Sequence, residues 1–431
     1  MIAEELIEKV TERLIERMRN VNLFVIKKIA RKIKEIGTIN PSNAHDIIQV
    51  MDYGGDLEEI VKYISKETKL NVKDIYKIFD EVAKENQHFS KKYYEYKKKR
   101  FIPWEENEPL RRQVKAIADL TAEQYVNISD TRGIGYTVER MVYDKATKKY
   151  KRKVVFQNIS DMYKTIVDEG IISISQGETT FDEEMGKLVK QIGMSGLKYI
   201  EYESGYHRRI DSALRMSLGD GLRKLHNELQ EEFGKEFGAD GVEISVHGHP
   251  APDHELVQGR QFTINQYDEK GNLIKEGEFE KFQNDEDCIS YDGIEFPAVS
   301  EETGRDRRAI SQYNCYHKVF YIVLGVDKPE YTNKELQAII DDNNKKFKYN
   351  GKEYTKYQGT QLQRRIETQI RKNKDIQIMA KESGQKDLAI ESQRKIDSLV
   401  NQYYELSEIS GLPTQLDRLK VDGYREIKDT E

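Results

Sequence analysis

Ile2, Leu6, Val10, Leu14, Met18, Val21, Val25 and Ile29 recur every three or four residues, the spacing that lines one face of a helix. The pattern predicts a long amphipathic helix that ends near Gly37. Asn40-Pro41-Ser42 restarts the chain, with Ser42 or Asn43 placed to cap the next helix. Periodic runs at 57–64 and 72–82 predict two further helices, the second capped by Asn71. Phe101-Ile102-Pro103-Trp104 breaks the helical pattern, because proline cannot continue it. Pro109 opens another helix that runs to about Tyr125. Residues 137–156 alternate around Asp144-Lys145-Ala146-Thr147 and read as a hairpin. Helices are expected again at 161–168, 181–192 and 207–233.

The texture changes at Gly238-Ala239-Asp240-Gly241. Residues 242–247 alternate like a strand, and 261–267 form another with a turn at 268–271. Residues 288–296 add a short strand or loop, and 319–324 form an apolar run. After a helix at 333–343, the segment 347–354 turns at Asn350-Gly351, the strongest short hairpin signal. Charged helices are expected at 358–381 and 387–406, interrupted at Gly384 and stopped by Gly411-Leu412-Pro413. The implied class is α+β: an elongated helical N-terminal half, a compact β-rich unit and charged C-terminal helices. Segment boundaries are expected at 1–100, 101–235, 236–330 and 331–431.

Composition sharpens this picture in three ways. With 34% charged and 37% hydrophobic residues, long solvated helices suit the chain better than one globule. Their apolar stripes, Val10, Leu14 and Val21 at one end and Ile366, Ile370 and Ile390 at the other, look narrow. They should need partners within the chain, or on another protein or a second copy of this one. Two cysteines, Cys288 and Cys315, exclude a disulfide scaffold and fit a reducing compartment. Residues 1–20 carry charges throughout, which argues against a signal peptide. No apolar run approaches the ~18 residues of a membrane span.

A net charge of −6 excludes a wholly basic nucleic-acid binder, so any DNA contact must come from local patches. One is 91–100, where Lys97, Lys98, Lys99 and Arg100 come after Tyr93, Tyr94 and Tyr96. The other is Lys145, Lys148, Lys149, Lys151, Arg152 and Lys153 in the expected hairpin. Such lysines and arginines can hold phosphates without reading sequence. The plainer reading is a solvated face beside Glu105, Glu106 and Glu108. The three tyrosines fit a core or interface better than a stacking platform.

Half of the eight histidines and both cysteines fall between 247 and 317. His247, His249, His254, Cys288, Cys315 and His317 are donors that suit zinc. A Cys-X-His pair can aim both donors at one point from a strand. The spacing matches no standard zinc finger, and histidines in a Gly/Pro-rich loop often only bond to the backbone. A hydrolytic reading has general-base candidates in His247, His249, Asp253 and His254. It lacks a nucleophile elbow, a Walker A loop or a dinucleotide fingerprint.

These strings resemble a known family. Ser245-Val246-His247, Ala251-Pro252-Asp253-His254, Gln258-Gly259-Arg260 and Asn314-Cys315-Tyr316-His317 are similar to the signature of the phage minor capsid protein 2 family. The motif residues are Ser245, His247, Asp253, His254, Gln258, Gly259, Asn314, Cys315 and His317. Segments at 204–216, 330–336, 351–355 and 361–372 continue the likeness, which covers about 100–380. Pro252-Asp253 and Tyr316 stand where the family usually has Arg-Pro and Arg, which puts any role of those arginines in doubt. The resemblance, with a more distant one to the phage Mu F-type head morphogenesis proteins, implies a virion protein. It implies a place in the head interior or at the portal vertex, made in the host cytoplasm and without a membrane. Partners would be the portal protein, other head proteins, packaged DNA and further copies of the chain, and the role would be head assembly or DNA packaging. A C-terminal toxin domain, carried by some related proteins, is not expected. The competing expectation is a metal-dependent enzyme or a DNA-binding packaging accessory that uses the His/Cys cluster, with zinc as the cofactor.

Overall fold

The computed structural model describes residues 4–200, 207–252, 254–268, 270–284, 289–291, 294–296, 310, 315 and 317–427. Helices dominate and the strands form small antiparallel sheets, so the class is α+β. The chain groups into two compact units, each assembled from separate stretches.

One unit comprises 10–74, 123–217 and 362–431. It includes residues 10–36 of the first helix, Glu4–Ile36. Leu14, Met18, Val21, Val25 and Ile29 are buried as the periodicity demands, and Ile15, Ile26, Ala30, Ile33 and Ile36 are buried beside them. The expected narrow stripe is therefore a broad, buried face. A Cβ at Gly170 would lie 3.0 Å from the Ile36 side chain, so any larger residue there, on the helix Ile159–Ser175, would have to push that side chain aside by a few tenths of an ångström. The boundary expected at Asn71 does not exist, because Gly54–Tyr96 is one helix. Asn71 is instead a buried junction: its Nδ2 donates to the Leu14 carbonyl at 3.2 Å and its Oδ1 accepts from Arg17 at 2.8 Å. It also bonds Tyr125 Oη. Tertiary partners take up the amide that sequence reasoning assigned to a cap.

The expected hairpin is present as Ile134–Asp144 paired with Lys149–Asn158. It extends into a four-stranded sheet through Lys198–Ile200 and His207–Arg209. The helix expected from His207 thus begins at Ile210, since 207–209 pair with 198–200. At the buried end of the hairpin a Cβ at Gly135 would sit 1.9 Å from the Gln157 carbonyl oxygen, so only glycine fits. Lys356–Ser383 and Lys386–Ser410 meet at Gly384, whose φ of +86° suits glycine. Ile370, Ile396, Tyr403 and Leu419 form their shared core, while Ile390 stays 40% exposed.

The other unit comprises 1–9, 75–122 and 218–361. Its sheet has the order Val319–Ile322, Gly241–Ile244, Gln261–Thr263. Val242, Ile244, Val257, Phe262, Phe279, Phe282, Ile310 and Val319 pack together on it. The helix Ile210–Phe237 contributes His226, whose Nε2 lies 3.0 Å from the Val319 carbonyl, and Gln230, which accepts from Tyr321 N at 3.1 Å. The short hairpin expected at Asn350-Gly351 is present. Asn333–Asn344 starts with a full capping box between Thr332 and Glu335.

Candidate functional site

The sheet brings two distant segments together. Val319 pairs with Ile244 in register. One step beyond, Ser245 N donates to the Lys318 carbonyl at 3.0 Å and Lys318 N donates to Ser245 Oγ at 2.9 Å. The loop leaving Ile244 therefore lies against the segment entering Val319. Within that loop His254 N donates to the Ala251 carbonyl at 3.0 Å and Gly259 N to the Ile244 carbonyl at 2.8 Å. Gly259 has φ +71°, and a Cβ there would come within 2.8 Å of both Leu336 and Val246, so the loop closes only with glycine.

This closure places His254, Cys315 and His317 together, with one donor atom from each within 4.8 Å of the others. Cys315 Sγ lies 3.5 Å from His254 Nδ1 and 3.5 Å from His317 Nδ1. All three side chains are buried, at 1%, 2% and 1% exposure. Gln258 holds the group from behind. Its Oε1 accepts from His247 N at 3.2 Å and lies 3.4 Å from His317 Nε2. The His247 ring lies 4.3 Å from that of His317, and its Nδ1 lies 3.2 Å from the Gly248 carbonyl. Burial lowers the His247 pKa to about 4, despite the carbonyl's opposing pull. His249 is apart from the trio. Its pKa is lowered by burial and by Lys356.

Of the residues expected to bind metal, the structure thus gathers His254, Cys315 and His317, with His247 alongside and His249 outside. Cys288, Asp253 and Asn314 lie outside the described residues. Ser245, Gln258 and Gly259 turn out to be the frame of the loop. Arg260, buried beside them, donates from Nε to the Leu256 carbonyl at 2.8 Å and from Nη1 to Asn333 at 3.0 Å.

The two basic patches differ. In the first, Tyr93 and Tyr94 are core residues, bonded to Asp327 and Glu236, while Lys97, Lys98, Lys99 and Arg100 are exposed where the helix ends. In the hairpin, opposite residues of the pair project to one side. Arg140/Lys153, Val142/Lys151 and Asp144/Lys149 share one face, and Met141/Arg152 and Tyr143/Tyr150 share the other. Lys148, Lys149, Lys151, Arg152 and Lys153 are all exposed. Lys151 pairs with Asp144 at 2.7 Å and Arg152 with Glu139 at 3.5 Å. Among the described residues, no carboxylate pairs with Lys148, Lys149 or Lys153.

Sequence reasoning missed a buried charge network in the unit that includes residues 10–36 of the first helix. Arg209 lies 3.3 Å from Asp211 and 4.0 Å from Asp375, and Asn22 Nδ2 donates to Asp375 at 3.2 Å. Asn22 also accepts from Leu197 N at 3.0 Å. The available signal was a polar residue inside the apolar periodicity, since Asn22 comes after Val21 and precedes Val25. Nothing local linked it to Asp375.

The family model for phage minor capsid protein 2 matches residues 2–406, nearly the whole chain. No curated protein and no solved structure matches it.

Proposed function

Because this chain belongs to the phage minor capsid protein 2 family, and so is a structural component of a bacteriophage head that contacts other head proteins, we propose that it works at the portal, inside the head. There it takes part in head assembly or DNA packaging. The observation that carries the DNA part of this reading is the hairpin, whose outer half exposes Lys148, Lys149 and Lys153 without acidic partners among the described residues. A two-stranded ribbon of this kind can lay lysines on a phosphate backbone without reading bases. The burial of His254, Cys315 and His317 to 1–2% exposure favours a structural role over the rival enzymatic one. Catalysis at a metal needs an open position that substrate can reach.

Mass spectrometry of purified virions, with cross-linking to the portal protein, tests the placement. Its absence from particles, or cross-links only to proteins remote from the portal, would refute it. For the hairpin, binding of the purified protein to duplex DNA should weaken with salt. The variant Lys149→Glu/Lys153→Glu should flatten that log–log slope by about 2, roughly 0.9 per lost phosphate contact. An unchanged slope would remove DNA from the hairpin's role.

A further inference from the structure

We infer that His254, Cys315 and His317 are three of the four ligands of a structural zinc ion that clamps the loop after Gly241–Ile244 to the segment before Val319–Ile322. The first argument is metric. Around tetrahedral zinc, with bonds of about 2.3 Å to sulfur and about 2.05 Å to nitrogen, neighbouring S and N ligands stand about 3.6 Å apart. Both Sγ to Nδ1 separations here are 3.5 Å. Each imidazole nitrogen thus stands at a neighbouring-ligand distance from the sulfur, and the three donor atoms all lie within 4.8 Å of one another.

The second argument is the tautomer. Gln258 Oε1 accepts the backbone N–H of His247, which fixes it as the amide oxygen. At 3.4 Å from His317 Nε2, that oxygen calls for a proton on Nε2. It thereby turns the unprotonated Nδ1 toward Cys315. A hydrogen bond on the remote nitrogen that orients the ring and selects its donor atom is the usual outer shell of a zinc-bound histidine. The third argument is the donor set. One thiolate with two neutral imidazoles suits zinc and does not suit magnesium or calcium, which take oxygen. Binding releases the Cys315 proton to solvent, leaving a Zn–S bond with no redox change.

An ion at this point explains why three polar side chains are buried at the end of a small sheet whose strands are only three or four residues long. It ties together residues 61 positions apart in sequence.

The test uses the full chain, purified without a nickel column or chelator. Elemental analysis should find about one zinc per chain. After removal by a chelator, Co2+ added to the wild-type protein should give the intense visible bands of tetrahedral cobalt and a near-ultraviolet thiolate charge-transfer band. Zinc should bleach both and raise the melting temperature. Cys315→Ser should lose the charge-transfer band, while His45→Ala, an exposed histidine elsewhere, should keep it. Wild-type protein that holds less than a tenth of an equivalent after zinc is added and excess removed would overturn the inference. So would a cobalt spectrum without the thiolate band. Both readouts are made on the wild-type chain, so a variant that fails to fold does not blur the outcome, and neither bears on where the protein sits in the particle.

Discussion

Asp375→Asn isolates the energetics of the buried charge network. Asp211 and Asp375 are both fully buried and compete for one guanidinium, that of Arg209. Burial pushes Asp211 up, but Arg209, Arg371 and Arg19 outweigh it and hold its pKa at about 2. For Asp375, burial wins over Arg209 and the bond from Asn22, and the pKa rises to about 6. The two groups titrate as a coupled set, the nearer taking the ion pair and the farther keeping its proton longer. Between the unfolded value of 3.8 and about 6, the native state holds a proton on Asp375 that the unfolded chain has lost. Native stability from this group is therefore full at low pH and declines as pH rises through that window. At about 1.4 kcal/mol per pH unit across that window, the loss comes to about 3 kcal/mol by pH 7. Asparagine cannot ionise, yet it keeps an oxygen for the Asn22 amide and leaves Arg209 paired with Asp211. Urea unfolding should show the variant close to wild type at pH 4 and more stable by about 3 kcal/mol at pH 7. A variant less stable than wild type at pH 7 would mean that the Arg209–Asp375 attraction exceeds the burial cost, and the reasoning would fail.

His226 gives the opposite slope. Burial, assisted by Lys318, lowers its pKa to about 3, so the unfolded chain takes up the proton first and stability falls as pH drops below about 6.5. His226→Gln, which can still donate to the Val319 carbonyl, should remove about 2 kcal/mol of that loss at pH 5; parallel wild-type and variant pH profiles would contradict it. Gly193→Ala puts a Cβ 2.4 Å from Ile376 Cγ1 and 3.0 Å from its backbone nitrogen. It should cost about 1–3 kcal/mol by overpacking, and an unchanged denaturation midpoint would show that the two helices can part without penalty. Asn71→Ala strips partners from the Leu14 carbonyl, Tyr125 and Arg17. A loss of about 1–3 kcal/mol is expected, whereas a simple helix-cap role would predict no dependence on Tyr125→Phe in a double-mutant cycle.

Element type was legible wherever the sequence carried its own period or turn chemistry. The first helix, the hairpin around Asp144, the Asn350-Gly351 turn and the two C-terminal helices arise from spacing and from residues that tolerate only certain backbone angles. The His/Cys cluster was visible as a concentration of donors, because side-chain chemistry is printed in the sequence. Which donors converge was not. His254 meets Cys315 and His317 only because Ile244 pairs with Val319, and the pairing of strands some 75 positions apart is set by packing, not by local preference. Asn71 shows the same limit from the other side. Its local preference for capping is real, but a buried amide goes wherever backbone and side-chain partners satisfy it, and here they lie in the first helix and at Tyr125. Asn22 and Asp375 stand 353 residues apart. Burial and the nearness of Arg209 give that carboxyl its altered acidity, and both exist only once the helices have packed.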